Sequence, residues 1–184
     1  MYSEIVAYKK TIGILVLIVG ALGVLTFSFI APNGFFSGLS NDLKEIEGEG
    51  EFMYTDLDGN PVSLVDYKGK PLIINSWATW MPFSAHELQL LDATKVKYGD
   101  DIVILAINRM ENTATVRAYL DFIGKPEHIV FLSDPSDNFY KAVGGYAMPE
   151  TVFYNREGIL IEHTRGVLRE EELTNQMNSL LEAK

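Results

Sequence analysis

The sequence predicts a mixed α/β fold, a central sheet with helices on both faces, preceded by one transmembrane helix. From residue 51 onwards, short apolar runs alternate with amphipathic stretches, which indicates a partly parallel sheet covered on both sides. Turn signals of the hairpin type lie at both ends of this pattern, so antiparallel strands are expected at the beginning and end of the domain. Residues 11–30 form an uncharged apolar block that is long enough to cross a bilayer.

The N-terminal apolar block is predicted to anchor the chain in the cell membrane by a single pass. Lys9 and Lys10 precede it, and no further Lys or Arg occurs until Lys44. By the positive-inside rule, residues 1–10 are then a cytoplasmic stub and the C-terminal domain is extracytoplasmic. A cleaved signal peptide is the alternative, but residues 11–30 exceed the usual apolar run and lack a clear cleavage site.

A linker and a hairpin are predicted to follow the anchor. Residues 31–50 are rich in glycine and end in an acidic patch, a composition that favours a solvated chain. The globular domain is expected to span residues 51–184. It begins with two short strands, 52–56 and 61–64, around the turn at Asp58 and Gly59.

The remaining elements are expected to alternate along the chain. Apolar runs predict buried strands, and spaced apolar residues between capping signals predict helices. The predicted order is strand 71–75, helix 82–98, strand 102–107, helix 113–123, strand 129–132, helix 137–143, a second hairpin of strands 151–154 and 159–163, and a closing helix 169–181.

Charge and cysteine content narrow the possible functions. The formal net charge is −10, and since the first thirty residues carry +1, the remainder carries −11. Nucleic acid is therefore not an expected partner, because its binding requires a basic surface. The chain contains no cysteine, so no disulfide supports the outer domain.

Two segments of the sequence carry a resemblance to a known family. Residues 77–84 have the sequence Trp-Ala-Thr-Trp-Met-Pro-Phe-Ser, and Tyr-Ala-Met-Pro-Glu-Thr-Val-Phe occupies residues 146–153. Together with the Asp-Gly-Asn-Pro hairpin and Glu87, these segments resemble the membrane-anchored thioredoxin-like (redoxin) family that includes TlpA, ResA and CcmG. The resemblance covers about residues 51–184. It implies a thioredoxin fold with an N-terminal hairpin, and it implies that Pro149 is the family's cis-proline.

The chain departs from this family at the two positions that carry its chemistry. Met81 and Ser84 stand where the family has its redox cysteines, and thiol–disulfide exchange requires a thiolate. No intact catalytic residue is therefore predicted. Glu87 is thought to tune the thiols in the family; here it is interpreted mainly as an acidic residue that is favourable near a helix start.

An apolar binding surface is predicted around the altered motif. The fold brings the segment after Trp80 close to the loop before Pro149, and exposed apolar patches usually mark binding surfaces. We call this surface the binding pole; its candidate residues are Trp77, Trp80, Met81, Pro82, Phe83, Glu87, Met148 and Pro149. The alternative is that Met81 and Phe83 fold inwards and fill the core.

Metal sites and other enzyme classes receive little support. Met81, Met148 and His86 could together suit Cu(I), but they do not match the two-cysteine, one-histidine pattern of thioredoxin-like copper chaperones. The three histidines, His86, His128 and His163, show no zinc-binding spacing. No P-loop and no Gly-x-Ser-x-Gly motif is present. Neither a metal nor a cofactor is expected.

The predicted function is that of a membrane-anchored, extracytoplasmic, thioredoxin-like protein that is redox-inactive and binds peptide or protein partners. The expected partner is an exported protein or a component of envelope redox or cytochrome assembly. The alternative, implied by family membership, is a thiol-disulfide oxidoreductase for cytochrome c maturation or envelope redox homeostasis. A structural subunit with an inert pole is a third hypothesis.

Overall fold

A computed structural model of the chain describes residues 54–182, which contain a seven-stranded mixed sheet and four α-helices. The strands lie in the order β2-β1-β5-β4-β3-β6-β7 across this sheet. The elements are β1 (Tyr54–Asp56), β2 (Pro61–Val62), β3 (Leu72–Trp77), α1 (Ser84–Tyr98), β4 (Val103–Arg109), α2 (Thr113–Ile123), β5 (Val130–Asp134), α3 (Asn138–Ala142), β6 (Glu150–Tyr154), β7 (Leu160–Arg165) and α4 (Glu170–Glu182). This arrangement confirms the predicted thioredoxin fold with its N-terminal hairpin.

The sheet is parallel at its centre and antiparallel at its sides. Strand β4 runs parallel to both β3 and β5, whereas β6 and β7 complete an antiparallel side. The carboxyl ends of β3, β4 and β5 therefore meet at one edge, which we call the carboxyl edge. Strand β6 begins at that edge because Glu150 pairs with Ser76 near the end of β3. The predicted binding pole lies where these chain segments meet.

Two apolar layers hold the domain together, one on each face of the sheet. Successive side chains of a strand point to opposite faces, so Ile73 enters one layer while Leu72 and Ile74 enter the other. Helices α1, α2 and α4 cover the first layer, and α3 covers the second. All six residues of β3 are buried, as expected for a central strand covered on both faces.

Helix α2 has the bounds that its sequence predicts, and its ends show why. The Asn112 side chain accepts a hydrogen bond from the Thr115 N–H at 2.9 Å, which caps the first turn. Gly124 follows the last turn with φ 72°, a left-handed conformation that glycine adopts without steric cost. Local capping signals thus fix both ends of this helix.

Two boundaries near the binding pole differ from the predicted ones. Strand β3 extends to Trp77, beyond the predicted end at Asn75, because its last residues continue the parallel pairing with β4. Helix α1 begins at Ser84 and not at Pro82. The Met81 N–H donates to Ala78 and the Ser84 N–H donates to Met81, so residues 78–84 form consecutive tight turns.

The N-terminal predictions lie outside the described residues. These are the stub at residues 1–10, the anchor at 11–30 and the linker at 31–50. Within residues 54–182, no helix has both the length and the apolar character that crossing a membrane requires.

Candidate functional site

The binding pole presents aromatic side chains to solvent at the carboxyl edge. Trp80 is 61% exposed and Phe83 is 50% exposed, so Phe83 does not fill the core. Met81 and Met148 are half-buried, and Pro82 is exposed. Large apolar side chains are usually found inside, so the two exposed rings give this edge a locally apolar surface.

Trp77 was predicted to belong to this surface, and that prediction is wrong. Its side chain is fully buried. The ring packs against Tyr119 at 5.7 Å and meets Phe131 edge-on at 6.0 Å between ring centroids. The physical reason is the pleat: Trp77 is the last residue of β3 and points into the apolar layer beneath α1.

Ser84, at the second altered redox position, is a structural residue. It is fully buried, and its hydroxyl donates a hydrogen bond to the backbone carbonyl of Ala78 at 2.8 Å. That bond closes the turn that leads into α1. Met81, at the first altered position, is half-buried at the start of the same turn. A thioether cannot ionise and this hydroxyl is engaged, so neither side chain supplies a nucleophile for disulfide exchange.

Glu87 also does not contribute to the exposed surface, contrary to its place among the predicted pole residues. It lies in the first turn of α1 but is fully buried, because that side of the helix faces β3 and the chain after β7. Its Oε1 accepts the Leu168 N–H at 2.8 Å and its Oε2 accepts the Asn75 side-chain amide at 3.1 Å. Asn75 in turn donates to Thr151 at 3.0 Å. Glu87 therefore joins α1, β3 and the segment before α4.

Burial dominates the acidity of Glu87. Loss of solvation disfavours the ionised carboxylate and raises the pKa of Glu87 to about 7, and the negative charge of Glu172 acts in the same direction. The hydrogen bonds from Leu168 and Asn75 oppose this shift because they favour the charged form. The carboxyl group consequently changes charge near neutral pH, although no cysteine lies beside it.

Glu111, which the sequence did not single out, fixes the loop that carries Trp80. Its Oε2 accepts the Thr79 N–H at 2.7 Å and the Asn108 side-chain amide at 2.8 Å. Its Oε1 accepts the Thr79 hydroxyl at 2.5 Å. A carboxylate with three donors is a strong, oriented acceptor, so the backbone immediately before Trp80 has little freedom. The contact joins residues 32 positions apart, and no local sequence pattern marks it.

Glu150 holds the other side of the binding pole in the same manner. Its Oε1 accepts the N–H groups of Tyr146 and Ala147 at 2.8 and 3.0 Å. Its Oε2 lies 2.7 Å from Nε2 of His163 on the adjacent strand. The sequence predicted the loop but not this role of Glu150, because the hydrogen bonds depend on how the loop folds back over β6.

The peptide bond between Met148 and Pro149 is cis. The Pro149 carbonyl accepts the Gly166 N–H at 2.8 Å, which ties the loop to the end of β7. Within residues 54–182, the backbone N–H and C=O of Met148 have no hydrogen-bond partner. Pro149 itself is buried, so Met148 presents the loop's available backbone groups at the pole.

Two of the three histidines are paired with carboxylates. His163 is engaged by Glu150, and His128 lies 3.1 Å from Asp92. His86 is exposed on the first turn of α1. No group of three or more His, Cys, Asp or Glu residues suited to hold a metal occurs within residues 54–182.

Comparisons with known proteins agree with this architecture. The Redoxin family model matches residues 40–181. The thiol-disulfide oxidoreductase ResA of Bacillus cereus is 25% identical over 169 residues, which cover 91% of this chain and 92% of the relative. ResA of Halalkalibacterium halodurans is 29% identical over 118 residues, covering 63% and 66% of the two chains. The exposed lipoprotein thioredoxin Etrx1 of Streptococcus pneumoniae superposes with a TM-score of 0.63 at 24% identity, covering 70% of this chain and 98% of that one.

Proposed function

Because this chain belongs to the Redoxin family but carries no cysteine, we propose that it binds extended segments of partner proteins and does not catalyse disulfide exchange. The observation that carries the proposal is the exposure of Trp80 and Phe83 beside two redox positions without a thiol. In the proposed arrangement the domain is extracytoplasmic and residues 11–30 anchor it. The partner is an exported protein or a component of envelope redox or cytochrome assembly.

The loss of redox chemistry follows from the two replaced positions. Met81 cannot form a thiolate, and the Ser84 hydroxyl is buried in a hydrogen bond to Ala78. Relatives of this chain carry the name thiol-disulfide oxidoreductase ResA, so the family's activity is the alternative function. That activity would need cysteines that the sequence does not contain.

The rigidity of the binding pole supports a binding role. Glu111 fixes the backbone before Trp80, and Glu150 fixes the loop before Met148. A backbone that is already fixed loses little further conformational entropy when a ligand binds. The available backbone groups of Met148 suit an extended peptide, which can add hydrogen bonds to them while its side chains contact Trp80 and Phe83.

Insulin reduction tests the absence of redox chemistry. The full-length protein in detergent micelles should show no turnover above background. The matched control is the double variant Met81→Cys/Ser84→Cys, which introduces one thiol at each end of the same turn and should gain measurable activity. Turnover by the wild-type protein would overturn the proposal and support the alternative function.

Partner capture tests the binding role. The full-length chain in lipid nanodiscs should bind reduced, carboxamidomethylated ribonuclease A, a permanently unfolded chain without free thiols. Trp80→Ser should weaken binding by about tenfold, since buried aromatic anchors often contribute more than 1.4 kcal/mol. Phe122→Ser is the matched control, because Phe122 is 87% exposed near the end of α2 and lies outside the pole. Equal binding by all three proteins would favour the inert-pole hypothesis.

A further inference from the structure

One exposed residue at the carboxyl edge is held in a conformation that its side chain disfavours. Met110 has φ 60°, in the left-handed region, and is 65% exposed. Residues with a Cβ rarely adopt this conformation, and those that do so usually are Asn or Asp. Glycine would adopt this left-handed backbone without steric strain, and a polar side chain would be more favourable than methionine in contact with solvent. Nothing in local folding favours methionine at this position.

The surrounding structure holds Met110 in place from both sides. The preceding residue, Arg109, forms two hydrogen bonds with Asp137, at 2.8 and 2.6 Å, and stacks on the Tyr140 ring at 3.5 Å. The following residue, Glu111, accepts the hydrogen bonds from Thr79. The Met110 N–H itself donates to the Asp134 carbonyl at 3.0 Å. The turn between β4 and α2 is therefore fixed and projects Met110 into solvent.

This turn adjoins the binding pole. Strands β3 and β4 are parallel and in register up to Trp77 and Asn108, so the residues that follow them emerge side by side. The hydrogen bonds between Thr79 and Glu111 join the two segments, and Trp80 and Met110 are the exposed neighbours of those two residues. Strained backbone that the surroundings over-determine is concentrated at functional sites.

We infer that Met110 is a contact residue of the binding surface, which extends from the binding pole onto the turn between β4 and α2. This inference rests on the proposed function. The occupant is an extended, apolar segment of another polypeptide that carries basic flanking residues. Apolar side chains of the segment contact Trp80 and Met110, whose flexible thioether adapts to different shapes.

Charge indicates the basic flanks of the occupant. The whole chain carries a net charge of −10, which repels acidic partners at long range. The carboxylates of Glu111 and Glu150 at the pole are engaged in internal hydrogen bonds. The guanidinium carbon of the exposed Arg165 lies 5.1 Å from the centroid of the Tyr146 ring. Those two carboxylates are engaged, so the preference for basic flanks comes from the net charge of the chain as a whole.

The test separates binding from folding because the key substitution should affect them in opposite directions. In Met110→Gly the left-handed backbone no longer carries a Cβ, so the urea midpoint of unfolding should stay equal or rise. Binding of carboxamidomethylated ribonuclease A to the full-length chain in nanodiscs should weaken about fivefold. Binding should also weaken with added salt, and unfolded carboxamidomethylated α-lactalbumin, an acidic chain, should bind less tightly.

The outcomes distinguish this inference from the proposed function. If Trp80→Ser weakens binding but Met110→Gly does not, Met110 is not a contact residue and the proposed function stands. If Met110→Gly lowers both the urea midpoint and binding, its role is structural and the inference is overturned. Equal binding of the acidic and basic probes overturns the charge preference. If the wild-type protein binds neither probe, the proposed function and the inference fail together.

Discussion

The replacement Glu87→Gln should remove a pH dependence of stability that the wild-type domain carries. The pKa of Glu87 is raised from 4.5 to about 7 in the folded protein, chiefly by burial. Below pH 4.5 the carboxyl is protonated in both the folded and the unfolded chain, and no stability is lost. Between pH 4.5 and 7 the unfolded chain releases the proton while the folded chain keeps it, so the free energy of unfolding falls as pH rises. Above pH 7 the loss is complete.

The size of the loss follows from the shift. A difference of about 2.5 pKa units corresponds to about 3 kcal/mol, since one unit is about 1.4 kcal/mol. Gln is neutral at every pH, so Glu87→Gln should gain up to this amount relative to wild type as pH rises from 5 to 8. The Gln oxygen can accept the Leu168 N–H as Glu87 does. Its amide can donate to Asn75 after that side chain rotates, because Asn75 Oδ1 has no partner among the described residues.

Urea denaturation at pH 5, 6, 7 and 8 measures this difference, with tryptophan fluorescence as the signal. Trp77 is a suitable reporter because it is fully buried. Subtracting the wild-type free energy from that of the variant removes the contributions of all other titrating groups. Glu171→Gln, at an exposed position in α4, is the control and should give a difference close to zero at every pH. If the difference between Glu87→Gln and wild type does not grow with pH, the assigned pKa shift is wrong.

Three further experiments test the contacts that shape the edge of the sheet. Gly145→Ala would bring a Cβ to 2.5 Å from the Tyr140 ring, so it should lower the thermal midpoint and reduce the free energy of unfolding by about 1–3 kcal/mol. Gly144→Ala is the control for backbone strain, because its Cβ would meet no atom within 4 Å although its φ is 64°. Ser84→Ala removes one of the two hydrogen bonds that the Ala78 carbonyl accepts and should lower the urea-derived stability by about 1 kcal/mol; an unchanged value would show that the hydroxyl is dispensable. A double-mutant cycle of Thr79→Val and Glu111→Ala should give a coupling energy of about 1 kcal/mol. Additive effects would show that the hydrogen bond between the Thr79 hydroxyl and Glu111 does not stabilise the loop.

The order of secondary structure could be predicted because it depends on local patterns. The runs that became β3 and β4 are continuously apolar, and α2 carries its own capping signals at Asn112 and Gly124. The position of the binding pole followed from topology, since parallel strands bring their carboxyl ends to one edge. These features need no knowledge of which side chains meet.

The contacts within the site could not be predicted in this way. Trp77 and Glu87 stand at the correct positions in the motif, but which face of the strand or helix turns inwards decides their burial. Glu111 reaches a loop 32 residues earlier and Glu87 reaches a backbone amide 81 residues later. A carboxylate in such a contact looks in the sequence like any other charged surface residue.

Three carboxylates therefore fix three parts of the chain: Glu111 holds the loop before Trp80, Glu150 holds the loop before Met148, and Glu87 holds the segment before α4. The Glu111 and Glu87 contacts join residues 32 and 81 positions apart, so all three contacts are present only when the chain as far as Leu168 has folded. The surface around Trp80 and Met148 is therefore a property of the complete domain, and a fragment that ends before Leu168 would lack the contact of Glu87.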